Sequence, residues 1–389
     1  MHNYKFQTAI LVLLSFVLGN NEFLVMGVLS NISKTYHVSI ANVGLLITAY
    51  GLIYAICTPI ITSLLGNFNR YYTLMILTVI FILGNTLSGF ATNYTVLIIS
   101  RVIAASVAGA IISLSMTFSS VIAPRSKQGS VVSWIFSGFS IASVFGVPFS
   151  TAISRIFDWH MTFFIISFVS VITLILLLLS LPKDMERNTS PLKSQLELIK
   201  DSRIYVGFFL PFFAIAAIYV VYTYLQPLYG KLGFSSGSLS LFLAVFGLAS
   251  LASNQLSGRI SEHGGLNFMP KVYSVEIFIL LALPFLIHAK YAGLINLIVI
   301  GLVMYLINAP IQIHFLNIAE ESFPQAVALA SSLNPIASNL GISLGSAAGS
   351  MIVGNFGLNF VGFGGAIFAL GALLINLKLN NIIASTPSK

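Results

Sequence analysis

The sequence predicts an all-α membrane protein with twelve transmembrane helices in two pseudo-symmetric six-helix bundles. Three observations carry that expectation. The 389 residues are 57% hydrophobic and only 7% charged, with a mean hydropathy of +0.97, which leaves too little polar surface to coat a soluble globule. The apolar residues gather into a dozen runs, each near the roughly 20 residues that span a bilayer. The basic residues concentrate in alternate connections between those runs, as a fixed membrane topology requires.

Taken in order, the first run, 6–30, is interrupted by Asn20, Asn21 and Glu22 and is too long for the apolar core of a cleaved leader. The second, 42–65, carries Tyr50 and Tyr54 one turn apart, and the third, 73–92, is nearly devoid of polar side chains. Run 95–122 contains Arg101, run 131–154 carries Gly138, Gly146 and Pro148, and run 161–182 is almost purely apolar. After a charged connection, 204–227 presents Tyr219, Tyr222 and Gln226 on one face, and 239–258 and 271–288 follow, the latter with Glu276. Run 293–318 presents Asn308 and Gln312. Run 328–350 presents Ser331, Asn334 and Ser338, with Gly341, Gly345 and Gly349 at four-residue steps, and run 361–381 closes the series.

With the N-terminus in the cytoplasm, thirteen of the 18 Lys and Arg residues fall in inner segments, four in outer loops, and Arg101 within a helix. That arrangement predicts a multi-pass protein of the cell membrane with both termini cytoplasmic. The formal charge of +8 is therefore read as topology; no polybasic cluster points to nucleic acid. Cys57 is the only cysteine, so no intramolecular disulfide forms.

The most charged connection, Lys183 to Arg203, falls near mid-chain and divides the sequence into halves 1–182 and 204–389 with a cytoplasmic linker, 183–203. Leu192, Leu196 and Ile199 share one side at helical spacing, which fits either a short helix on the inner membrane surface or a solvated linker. The halves read as repeats. "SLLGNFNRYYTL" (63–74) and "GRISEHGG" (258–265) occupy matching places, and small residues line both the fifth and the eleventh run.

These residues resemble the major facilitator superfamily over essentially the whole chain, in its twelve-helix drug:proton antiporter branch. "GRISEHGG" is similar to the family's inner loop motif, with Gly258, Ile260, Glu262 and Gly265 matching and His263 in place of an arginine. The first-half copy keeps Leu64 and Arg70 but has Gly66 where the family has an acid. "LIISRVIAASVAG" (97–109) resembles the motif that contributes an arginine, here Arg101. "GFSIASVFGVPFS" (138–150) resembles the antiporter motif, with Gly146 and Pro148 retained. "NEFLVMGVL" is most similar to efflux permeases for sugars, purine nucleosides and chloramphenicol-type compounds. The resemblance implies a gating role for Arg70, Gly146, Pro148, Gly258, Glu262 and Gly265, and a central cavity bordered by the first and fourth helices.

A carboxylate inside a bilayer costs roughly 2.5–3.5 kcal/mol on insertion scales, so Glu22 needs a partner, a wet cavity or a proton. Counted at about 1.5 Å per residue, Glu22 and Arg101 reach a similar depth. A contact between them serves either a proton carrier, ionised when the two are together and protonated when they part, or a permanent brace between helices. The polar set Asn21, Tyr50, Tyr54, Tyr219, Tyr222, Gln226, Asn308, Gln312 and Asn334 either lines a substrate cavity or bonds helices together. Glu276 is expected to reach the interface or Lys271, with a second proton site as the alternative. His160 and His314 read as structural polar groups that could also titrate near neutrality.

Catalytic readings fare badly. There is no G-x-x-x-x-G-K-[ST] phosphate loop, no metal-ligand spacing among the six histidines, and no nucleophile-base arrangement. The expected protein is no enzyme and needs neither cofactor nor metal. Its partners are protons, a small-molecule substrate and the lipid bilayer, with a monomer as the working unit. Proton-coupled efflux is the leading function, symport or facilitated uptake the alternative, and a receptor or polytopic enzyme the third class.

Overall fold

The computed structural model describes residues 4–65, 68–124, 127–183 and 196–385. Among them no strand occurs, and 12 helical segments are long and apolar enough to cross a membrane. The chain groups into two compact units: Met1–Val38 with Leu52–Thr189, and Ser39–Gly51 with Ser190–Lys389.

Unit 1 is built from α1 (Tyr4–Tyr36), the later part of α2 (Ile40–Leu64), α3 (Arg70–Gly89), α4 (Tyr94–Ile122), α5 (Gln128–Ile156) and α6 (His160–Ser180). Its main seam joins α1 to α5, while α3 packs on α4 and α6. Missing side chains create the seam. A Cβ on Gly27 would strike Ser150 and the Val147 carbonyl of α5, and one on Gly138 would strike the Val12 carbonyl of α1. Backbones therefore approach closely, as small residues permit in a membrane. Every residue from Leu18 to Leu29 is buried, so α1 is enclosed on all sides rather than along one stripe. The Asn69 side chain caps α3 by accepting from the Tyr71 and Tyr72 amides, and it donates to the Lys183 carbonyl at 3.0 Å. At another end of unit 1, His160 Nδ1 lies 3.0 Å from the Asp158 carboxylate and Nε2 lies 3.2 Å from the Ala91 carbonyl, with Trp159 stacked on the ring. His160 thus ties two connections together.

Unit 2 contains α7 (Ser202–Tyr222), α8 (Leu225–Lys231), α9 (Leu239–Glu262), α10 (Met269–Leu286), α11 (Lys290–Val303), α12 (Asn308–Ser322), α13 (Val327–Asn355) and α14 (Val361–Ser385). Here α7 packs against α13 and α14. The four-residue glycine steps of α13 meet four-residue steps of α7. A Cβ on Gly341 would lie 2.5 Å from the Phe212 carbonyl, one on Gly345 2.9 Å from Ala216 Cα, and one on Gly349 2.9 Å from the Val220 carbonyl. The N-terminal part of α2 belongs to this unit: Thr48 Oγ1 is 2.8 Å from Ser346 Oγ, and Ser350 Oγ donates to the Ala41 carbonyl at 2.9 Å.

Two runs expected as single helices, 204–227 and 293–318, are each two helices. Proline explains both breaks. Pro227 and Pro310 lack an amide hydrogen and crowd the carbonyl four residues earlier, which falls on Thr223 and Leu306, inside the two interruptions. At the second break, the freed amides of Tyr305 and Ala309 donate to Ser253 Oγ at 2.9 Å and Ser257 Oγ at 2.8 Å. Two serines one turn apart on α9 thus replace the lost backbone bonds, which makes a broken helix tolerable inside a bilayer.

The linker differs from the sequence expectation. A 3₁₀ turn, Leu196–Lys200, precedes the Asp201 cap of α7; within it Leu198 is buried and Ile199 is exposed. The tighter turn rotates Leu198 into the apolar cluster that contains Ile204 and Phe315. Leu192 lies outside the described residues.

Candidate functional site

Three consecutive polar residues on α1 point in three directions, because each step along an α-helix turns the side chain by about 100°. Asn20 folds back, donating Nδ2 to the Phe16 carbonyl at 2.9 Å, and its Oδ1 lies beside Gly146 of α5. Asn21 meets α4. Arg101 donates Nη1 to Asn21 Oδ1 at 2.6 Å and Nη2 to the Asn21 carbonyl at 2.8 Å. Its guanidinium carbon sits 5.7 Å from the Phe163 ring centre of α6.

Glu22 follows, 4% exposed, against 0% for Asn21 and 1% for Arg101. Its Oε1 has no hydrogen-bond partner among the described residues, yet the Arg101 charge acts on the carboxyl. The expected contact therefore takes another form: the arginine fork is engaged by Asn21, and Glu22 is its electrostatic neighbour. The reason is geometric. A planar guanidinium binds best to two acceptors side by side, and Asn21 offers its amide oxygen and its carbonyl together.

Gly146 lies on α5 with a notional Cβ 3.2 Å from Phe23 Cβ, two residues before Pro148, which stands inside the same helix. Tyr54 packs with Thr58 against Gly109 of α4. Tyr50, Tyr219, Tyr222 and Asn334 are buried, whereas Gln226, Asn308 and Gln312 are half-buried. Tyr222 stacks on Phe246 at 5.3 Å and meets Tyr219 edge-on. Asn334 accepts from Ser338 Oγ at 3.3 Å, one turn away. Asn308 donates to Asn254 Oδ1 of α9 at 3.5 Å. Sequence reasoning passed over Ser253, Asn254 and Ser257; their signal was the polar stripe in "SNQLSG", opposite a proline.

Arg70 opens α3, and Gly66 lies outside the described residues. Glu262 ends α9 exposed, Gly258 has open space around it, and the turn beyond is made by Gly264 at φ +116° and Gly265 at φ +50°, where any other residue is strained. Ser331's side chain is outside the described set. His314 Nε2 lies 3.3 Å from the Arg203 carbonyl and is packed on Gly207. Glu276 corrects an expectation: rather than reaching the interface, it is 3% exposed on the packed face of α10, because that face also carries Val272, Tyr273, Ile279 and Leu280.

Residues 11–327 match the model of the Major Facilitator Superfamily. The chain belongs to this superfamily. Within the superfamily it is 31% identical to the uncharacterized MFS-type transporter YtbD of Bacillus subtilis (strain 168), over 93% of this chain and 92% of that protein. It is 30% identical to the inner membrane transport protein YdhP of Escherichia coli (strain K12), again over 93% and 92%. A solved D-xylose-proton symporter shares the fold, with a TM-score of 0.78, 17% identity, and 97% and 98% of the two chains covered. A solved variant of the nucleoside transporter NupG does so with a TM-score of 0.74, 17% identity, and 97% and 100% coverage. The chain is thus a multi-pass membrane transporter with the major facilitator fold.

Proposed function

We propose that this transporter exports a small organic molecule in exchange for protons, by alternating access of its halves 1–182 and 204–389, as in the drug:proton antiporter branch. The observation that carries this reading is the buried Glu22 beside the Asn21-bound Arg101. Near the cation, the carboxyl is supported in its ionised form; a rearrangement that draws Arg101 away leaves it to be neutralised by a proton, and the return expels that proton. The Gly146–Pro148 stretch of α5 supports export, and the neutral aromatic and amide set supports an uncharged, planar or hydroxylated substrate. Both termini are cytoplasmic in this reading, so a cysteine placed at Ser194 resists an impermeant thiol reagent in intact cells; ready labelling overturns the orientation.

A symporter shares the same fold and could use the same acid, so flux into inside-out vesicles decides direction. A binding compound is first found from a panel of sugars, nucleosides and lipophilic cations by the thermal stabilisation it confers. Glu22→Gln then keeps that stabilisation while losing pH-driven accumulation. One charge across 100 mV yields about 2.3 kcal/mol, roughly fifty-fold accumulation of an uncharged substrate, so the loss is readily measured. Undiminished accumulation by Glu22→Gln makes the residue a brace.

A further inference from the structure

A second buried acid lies outside the site just described. Glu276 is 3% exposed on α10, and its Oε1 has no hydrogen-bond partner among the described residues. One turn earlier, on the same face, Tyr273 is 1% exposed and its hydroxyl is likewise without a partner. Buried polar atoms are satisfied in more than about nine cases in ten, so two orphans at helical spacing call for a missing group.

No cation among the described residues supplies it. On the elements packed against α10, the charged and titratable groups among the described residues are Lys290 and Tyr291 of α11 and Lys378 of α14, with His288 in the connecting turn and Lys271 on α10 itself; each is exposed. Lys271 is placed over the Phe268 ring, 5.6 Å from its centre. The neighbouring polar atoms point the same way. Buried Asn296 of α11 donates Nδ2 to the Ile279 carbonyl at 3.1 Å, one turn beyond Glu276, and its Oδ1 is left without a partner. An ionised carboxylate and an amide oxygen are both acceptors, and the unpartnered buried donors on α10 and on α14 packed against it, the Tyr273 hydroxyl and Nδ2 of Asn376, are neutral, so neither balances a carboxylate charge. A single proton on Glu276 turns one acceptor into a donor and removes a charge that the surroundings do not balance.

We propose that Glu276, with Tyr273 as its hydrogen-bonding neighbour, is a proton-binding site in unit 2, separate from Glu22. The proton comes from water and resides on a Glu276 carboxyl oxygen; Tyr273, an unpartnered donor one turn earlier on the same face, donates its hydroxyl hydrogen to the other once the two side chains turn toward each other. The assignment does not rest on the proposed role of Glu22.

The test uses the proton itself as probe. Wild-type, Glu276→Gln, Tyr273→Phe and Glu22→Gln proteins are reconstituted in phosphatidylcholine vesicles, and infrared difference spectra are recorded on exchange from H2O to D2O and as the pH is raised from neutral. The expected result is a carbonyl band of a protonated carboxyl that shifts on deuteration, fades as pH rises, disappears in Glu276→Gln, and survives in Glu22→Gln. In Tyr273→Phe the same band changes frequency, since the hydroxyl donor is gone while the acid remains. A band unaltered by Glu276→Gln overturns the proposal, and so does one that never fades with pH, which marks a fixed neutral brace. An unshifted band in Tyr273→Phe removes Tyr273 from the site.

Discussion

The α1–α5 seam of unit 1 and the α7–α13 seam of unit 2 follow one packing rule and carry different chemistry. In both, glycines let helices running in the same direction touch backbone to backbone. Around the first seam the polar groups are Asn20, Asn21, Glu22 and the Arg101 that grips Asn21; around the second they are tyrosines, asparagines and serines without a charge. Helix spacing is thus set by what the glycines lack, and function by the few side chains that replace apolar ones nearby. Close-packed interiors make that division possible, since a seam held by backbone contact tolerates a changed neighbour better than a changed glycine.

The largest expected effect comes from removing the charge that distinguishes unit 1. Arg101→Ala leaves Asn21 without its donors and Glu22 without a cation, a loss of the kind that costs about 3–5 kcal/mol when one partner of a buried set is removed. Thermal unfolding in detergent should show it clearly. Stability equal to wild type would mean that the site is solvated and that the two seams differ less than their contacts imply.

A smaller effect sharpens the part the seams share. A methyl on Gly345 would press on Ala216 Cα at 2.9 Å, which is backbone and cannot yield, whereas one on Gly146 would meet Phe23 Cβ at 3.2 Å and Asn20 Oδ1 at 3.3 Å, which can give slightly. Gly345→Ala should therefore destabilise by about 1–3 kcal/mol, in the range of an overpacked core, and Gly146→Ala by less. The reverse order, in paired unfolding curves, would break the comparison.

The smallest effect lies where unit 2 begins. Burial pushes the Asp201 carboxyl up, but hydrogen bonds from the Arg203 side chain and amide, at 2.7–3.1 Å, outweigh it and hold the carboxyl below its ordinary value. A depressed native pKa gives stability that is complete above the ordinary carboxylate range and is lost as pH falls through the lowered value. Asp201→Ala should cost about 1 kcal/mol at neutral pH, as lost caps do, and should abolish that acid-side decline. A mutant as acid-sensitive as wild type would assign the decline elsewhere.

The distribution of residues along the chain determined much of this protein. Twelve apolar runs, one intramembrane acid on the first and one arginine on the fourth are legible directly, because a bilayer imposes length and polarity on every span regardless of its neighbours. The glycine steps of the fifth and eleventh runs were equally legible, since four-residue spacing marks one face of a helix. Only tertiary structure decided which partner each polar group takes. Arg101 chose Asn21's two adjacent oxygens, Ser253 and Ser257 took up the amides freed near Pro310, Leu198 rather than Ile199 turned inward, and Glu276 was buried where a short reach to the interface or Lys271 had been expected. Periodicity fixes the face on which a side chain lies, but hydrogen bonds are satisfied within about 3 Å, and that distance is set by how one helix is rotated and displaced against another.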